Sequence, residues 1–165
     1  LRVRKMNSSV RNNLFVLFAT LLLIACGFQL RGSIEANFNS ITISGGSSDF
    51  GKQLSKSFKQ SGVKVFPADG EMAIEILSDG LQKNILSLNS SGLVSEYELI
   101  YTVTYRVKNI NSTEWSTPIT LDLNRQYTFD NENIIAKELE EKRLIRGMKD
   151  ELIRTMATQI SLKKD

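Results

Sequence analysis

Histidine is absent from all 165 residues. That excludes Ser-His-Asp and Cys-His catalysis, histidine-based zinc sites and the usual general base near neutral pH. Cysteine occurs once, at Cys26, so no disulfide can form within the chain and no paired-cysteine metal or redox motif exists. No acidic residue precedes Glu35. The longest apolar stretch, Leu14 to Ala25, is interrupted only by Thr20. It falls well short of the roughly 20 residues that a bilayer-spanning helix needs.

What the N-terminus does contain is ordered. Arg2, Arg4, Lys5 and Arg11 open the chain, and the apolar stretch follows. A basic opening, a short apolar core and small residues make an export-signal pattern. The core closes on Leu23-Ile24-Ala25-Cys26, which has the form of a lipobox: leucine at −3, a small residue at −1 and the thiol that accepts a diacylglycerol at +1. Residues 1–25 are therefore expected to be a lipoprotein signal peptide, with Met6 a plausible start. Cys26 is expected to carry N-acyl and S-diacylglycerol groups, with no other cofactor and no metal. Removing the four basic residues of that segment leaves 17 basic against 18 acidic residues, a net charge of −1. The basicity of the whole chain belongs to its leader, and a nucleic-acid partner is not expected. Gly27 takes the position where aspartate commonly retains lipoproteins at the inner membrane, which favours the outer membrane.

The expected organisation is a lipidated tether at 26–38, one domain at 39–162 and a frayed tail at 163–165. Asn39–Ser44 reads as a strand, and Gly45-Gly46 as a turn. Ser47 or Ser48 is placed to cap a helix carrying Phe50, Leu54 and Phe58 on one stripe, ended by Gly62. Met72, Ile74 and Ile76 alternate, and the pattern then becomes irregular from Asp79 to Leu88. Asn89-Ser90-Ser91-Gly92 is a turn. Leu99, Tyr101, Val103, Tyr105 and Val107 mark the clearest strand, and Ile119 to Phe129 the last. A long helix follows from near Asp130-Asn131, with Ile135, Leu139, Ile145, Met148, Leu152, Met156 and Ile160 as its buried stripe. Close packing is the expectation at Gly147, because glycine costs about 1 kcal/mol in a helix interior. The fold expected is α+β: a two-layer sandwich with a four-stranded, mostly antiparallel mixed sheet and two helices on one face. The leading pair is parallel across its helical crossover.

Two motifs suggest chemistry and fail on inspection. Gly46 to Lys52 fits the G-x-x-x-x-G-K phosphate loop, but Gln53 replaces the magnesium-binding hydroxyl and Asp49 puts a negative charge in the cradle. Ser61-x-x-Lys64 and Ser161-x-x-Lys164 match a serine–lysine pattern without its companion motifs. Glu138, Glu140 and Glu141 read as a solvated helix face.

Several segments together resemble one family. Cys26-Gly27-Phe28-Gln29-Leu30-Arg31-Gly32 is similar to the C-G-[FW]-x-L-R opening of the LPS-assembly lipoproteins LptE (RlpB). Ser91 to Leu99 resembles that family's S-G-x-x-x-E-Y-x-L entry into its long strand. Arg125 to Asp130, with Ala136-Lys137-Glu138 and Glu140-Glu141, resembles its aromatic-Asp strand end and A-K-E-x-E-E helix. The irregular stretch from Asp79 to Leu88 departs from the match. The resemblance implies a non-catalytic outer-membrane lipoprotein that plugs the barrel LptD as a 1:1 partner, helps it fold and assists lipopolysaccharide insertion. Lipopolysaccharide carries phosphates, so the cationic candidates for contact are Lys137, Arg106, Lys108, Lys83 and Arg125. Arg125 lies in phase with apolar neighbours, so it is turned out by a bulge or paired. Asn89, Ser90, Ser91 and Gly92 are the candidate loop for the barrel or lipid A. The alternative is a periplasm-facing adaptor lipoprotein of another envelope complex.

Overall fold

The computed structural model describes residues 36–162; Cys26, Gly27, the lipobox, most of the tether and the tail 163–165 lie outside the described residues. The elements run β1 (Ser40–Gly45), α1 (Ser48–Gln60), β2 (Lys64–Phe66), β3 (Met72–Leu88), β4 (Val94–Asn109) and β5 (Ile119–Thr128). A 3-10 turn (Asn131–Asn133) and α2 (Ile134–Leu162) complete them. The strands form one sheet in the order β2-β1-β3-β4-β5. β1 is parallel to β2 and β3, while β3–β4 and β4–β5 are antiparallel. This is the expected α+β sandwich with both helices on one face. The sheet has five strands rather than four, because Lys64 to Phe66 pairs with β1 before Pro67 stops it; three residues carry too short an alternation to read as a strand.

The core explains the order. Phe50, Leu54 and Phe58 of α1 and Met148, Leu152, Met156 and Ile160 of α2 are buried against Ile41, Ile74, Tyr105 and their neighbours in the sheet. Each such side chain contributes on the order of 1.5–3 kcal/mol of transfer free energy. Phe50 stacks on Tyr101 with ring centroids 6.1 Å apart. The fold also takes in the end of the tether segment: Phe38 is buried against Phe58, and the Asn37 side chain donates to the Ser161 carbonyl at 2.6 Å.

The β1–α1 connection shows why the phosphate-loop reading fails. Gly45 and Gly46 have φ +74 and +68, and a Cβ on Gly45 would come within 2.2 Å of the Ile76 carbonyl oxygen. Ser47 caps α1, its hydroxyl accepting from the Phe50 N–H at 3.3 Å. The backbone N–H and hydroxyl of Ser47 both donate to the carboxylate of Asp79, which also accepts from the Tyr101 hydroxyl at 2.8 Å. A carboxylate of the chain itself thus sits where a phosphate would bind. Burial pulls the Asp79 carboxyl up, but these donors outweigh it and hold the group below its ordinary value.

Two expectations about α2 are corrected. Ile135 and Leu139 are exposed, Ile135 at 78%, since the buried stripe begins only where α2 lies over the core. A Cβ on Gly147 would meet nothing within 4 Å, so close packing does not account for that glycine. The start agrees with the sequence: the Asp130 carboxylate accepts from the Glu132 N–H at 2.9 Å. The irregularity after Ile76 has a plain cause. Register shifts lie between Ile76 and Ser78, between Ile85 and Ser87, and between Ser87 and Leu88, so β3 remains a strand while its alternation is broken three times.

Candidate functional site

The β3–β4 hairpin is longer than the layer that covers it. β1 accompanies β3 only as far as Ile76, opposite Gly45. Beyond that point β3 pairs with β4 alone through Leu88. On the helix side of this distal half stand Leu81, Lys83 and Ile85, because they lie opposite Tyr101, Leu99 and Tyr97. Leu81 and Ile85 are exposed, Ile85 at 59%. Leu88 and Leu93 near the tip, and Ile134, Ile135 and Leu139 at the start of α2, are exposed as well. The opposite side of the same ladder is polar. Ser87 donates to Glu96 at 2.7 Å, and Asn124 donates to Glu98 at 2.6 Å. One end of the molecule therefore has an apolar face beside the helix and a hydrophilic face behind it.

Lys83 stands in the middle of that apolar face. Its ammonium lies 2.6 Å from the Glu141 carboxylate and 4.0 Å above the Tyr97 ring. Tyr127 donates its hydroxyl to the same Glu141 oxygen at 2.6 Å and stacks on Tyr97 at 5.8 Å. Burial acts to lower the Lys83 pKa, but Glu141 and Tyr127 hold it above the ordinary value. Burial likewise lifts Glu141, while hydrogen bonds from Lys83 and Tyr127 bring it below its ordinary value. Tyr127 is pushed up to about 12, by burial first and then by Glu141. The cluster is a fixed cation with a fixed counter-ion, stacked on aromatic rings.

The structure separates the cationic candidates. Lys83, Lys137 and Arg125 share the helix side: Lys137 lies 2.9 Å from Glu140 and 3.2 Å from the Thr128 hydroxyl, and Arg125 lies 2.7 Å from Glu151. Arg125 is thus paired, the second of its two expected alternatives. Arg106 and Lys108 stand on the other side, opposite Glu75 and Ala73 near the proximal end of the hairpin. Arg106 forms a hydrogen-bonded ion pair with Glu75 and lies 4.8 Å from the Trp115 ring. Eight residues of strand separate Glu75 from Lys83, about 26 Å, so the five cations do not form one patch. Asn89 to Gly92 make the distal turn: the Asn89 side chain accepts from the N–H of Ser91 and of Leu93, each at 3.0 Å, and Gly92 has φ +78.

Reading from the sequence missed the apolar strip. Its signal was present in Leu81, Ile85-Leu86 and Leu88, a stretch with more apolar residues than one buried strand face accounts for. Among the described residues, no cluster of acidic, histidine or cysteine side chains could hold a metal ion. No helix among them is long and apolar enough to cross a membrane.

This architecture is shared with bacterial lipoproteins. Lipoprotein B from Nitrosomonas europaea is 29% identical, with 82% of this chain and 90% of that chain covered and a TM-score of 0.70. Rare lipoprotein B from Shewanella oneidensis is 26% identical over 73% of this chain and 96% of that one, with a TM-score of 0.62. A minor lipoprotein from Acinetobacter baumannii, 21% identical over 76% and 92% at a TM-score of 0.61, shares the fold. No curated protein matches the chain. The family model LptE, lipopolysaccharide-assembly, matches residues 36–160. The chain belongs to the LptE family: it is a lipoprotein of lipopolysaccharide assembly in the cell envelope, and it is not an enzyme.

Proposed function

We propose that the chain is held to the outer membrane by lipids on Cys26 and that its domain, 39–162, occupies the lumen of the LptD barrel as a 1:1 partner. There it helps the barrel fold and assists lipopolysaccharide into the outer leaflet. Residues 1–25 are the signal peptide and 26–38 the tether. The observation that carries this reading is the uncovered distal half of the β3–β4 hairpin with the first turns of α2. An exposed apolar surface of this kind beside polar faces suits a chain that completes itself against a partner. The polar ladder behind it suits the hydrated wall of a barrel lumen. In this reading Lys83, Lys137 and Arg125 meet lipopolysaccharide phosphates by exchanging Glu141, Glu140 and Glu151 for them. Arg106 and Lys108 offer contacts on the other side, and Asn89, Ser90, Ser91 and Gly92 enter the barrel or touch lipid A.

Co-purification from outer membranes tests it. The chain should be recovered with LptD; recovery with another envelope complex and no LptD would support the adaptor alternative and overturn the plug. Lys137→Ala, Lys83→Ala and Arg106→Ala combined should weaken lipopolysaccharide binding, and unchanged binding would refute those contacts. Cys26→Ser behind a substitute export signal should lose the lipid and still bind LptD.

A further inference from the structure

Four of the five cations named above, Lys83, Arg106, Arg125 and Lys137, are each already matched by a carboxylate. A different set is not. Lys52, Lys56 and Lys59 lie at i, i+4 and i+7 on α1 and are exposed. That spacing puts them on one side of the helix, across about 10 Å from first to last. Among the described residues none of the three forms an ion pair. The only acid on α1, Asp49, is bound to Lys149 at 2.6 Å and acts on Lys52 only through space.

These lysines border a groove of about 900 Å³ between α1 and the β1–β2 edge. Ile43 and Val65, both on the helix side of β1 and β2, form its half-buried floor. One wall is cationic, and the floor is apolar. A free peptide strand is a poor occupant, because β2 offers only three residues of edge and ends at Pro67. The chemistry that fits is an amphiphile with an anionic head and an acyl chain. Three unmatched charges over that length suit a head with more than one phosphate; a single phosphate would leave lysines unanswered.

We propose that the groove between α1 and β2 binds a multiply phosphorylated glycolipid, its phosphates on Lys52, Lys56 and Lys59 and an acyl chain over Ile43 and Val65. This rests on the lipopolysaccharide-assembly reading and adds a site to it, on a different element from Lys83 and Lys137. No existing ion pair has to break for the phosphates to bind there.

The test is a titration of the full chain in detergent with diphosphorylated lipid A, followed by fluorescence, with phosphatidylglycerol as the single-phosphate lipid. Lys52→Gln, Lys56→Gln and Lys59→Gln combined should weaken lipid A binding by about tenfold or more, from the loss of three charge-assisted contacts. The three arginine replacements should restore it, and phosphatidylglycerol should bind more weakly than lipid A. Val65→Ser should weaken binding of lipid A by the folded variant but not of its de-acylated diphosphorylated disaccharide. Unchanged lipid A affinity in the folded triple glutamine variant would overturn the site, as would phosphatidylglycerol binding as tightly as lipid A. If lipid A binding is lost only on substituting Lys83 and Lys137, the groove assignment fails and the functional reading survives. If the parent chain binds no lipid A, both fail.

Discussion

The two ends of the β3–β4 hairpin share one antiparallel ladder and live in opposite surroundings. At the proximal end Ile74 and Ile76 lie opposite Val107 and Tyr105, with β1 alongside and both helices contributing to the same core. At the distal end Leu81 and Ile85 lie opposite Tyr101 and Tyr97, with no β1 beside them, and both are exposed. α2 repeats the contrast along its own length: Met148 to Ile160 is core, while Ile134, Ile135 and Leu139 are exposed. Apolar residues at the first end hold the fold. At the second they are exposed, which suits a surface that something else covers.

Substitutions should therefore divide by region. Phe50→Ala removes a fully buried ring of the core and should cost about 3–5 kcal/mol, seen as a large drop in the urea midpoint. Glu141→Gln, at the boundary, leaves Lys83 without its counter-ion and should cost about 1 kcal/mol for a half-exposed pair. It should also change the acid limb of stability. Glu141 and Asp79 have folded pKa values below their unfolded ones. Their contribution is complete above the unfolded carboxylate range near about 4 and is lost as pH falls through the lower folded values. The glutamine variant should lose less stability on acidification than the parent, in melts run from neutral pH downward.

The alkaline limb is shared between the regions, by Tyr127 in the distal cluster and Tyr105 in the proximal core. Burial pushes Tyr105 up to about 12, its hydroxyl donating to Gln159 at 2.8 Å. In the unfolded chain it ionises near about 10. Between these values the unfolded state releases a proton that the folded state keeps, so stability falls as pH rises. Tyr105→Phe should flatten that fall. The smallest effect is a gain: Gly147→Ala meets open space and should stabilise α2 by up to about 1 kcal/mol. A loss there would mean that the helix is bent at a position where the structure shows it uncrowded.

Much of this division was legible in the residues, and the exceptions have physical causes. The Phe50-Leu54-Phe58 stripe, the Ser47 cap and the alternation from Leu99 to Val107 named their own elements, because each has one face buried along its full length. β2 escaped notice because three residues hold too little periodicity. The exposure of Ile135 and Leu139 escaped because a helical stripe does not reveal where the surface beneath it ends. Asp79 to Leu88 looked irregular because three register shifts interrupt a real strand. Of the cationic candidates, the sequence could name charged residues but not their counter-ions. Glu141 lies 58 residues from Lys83, and that pairing depends on α2 crossing the sheet. Lys52, Lys56 and Lys59 were legible as a helical stripe, but not as the wall of a groove.

The most direct test of the division is made on one triple variant, Ile85→Ser, Leu88→Ser and Leu139→Ser, at the distal end. Its melting temperature and its recovery of LptD from outer membranes are measured together. The melting temperature should stay within about 3 °C of the parent, since exposed side chains contribute little to folding, while LptD recovery should be lost. Full LptD recovery by the folded variant would contradict the claim that this end is the surface a partner covers.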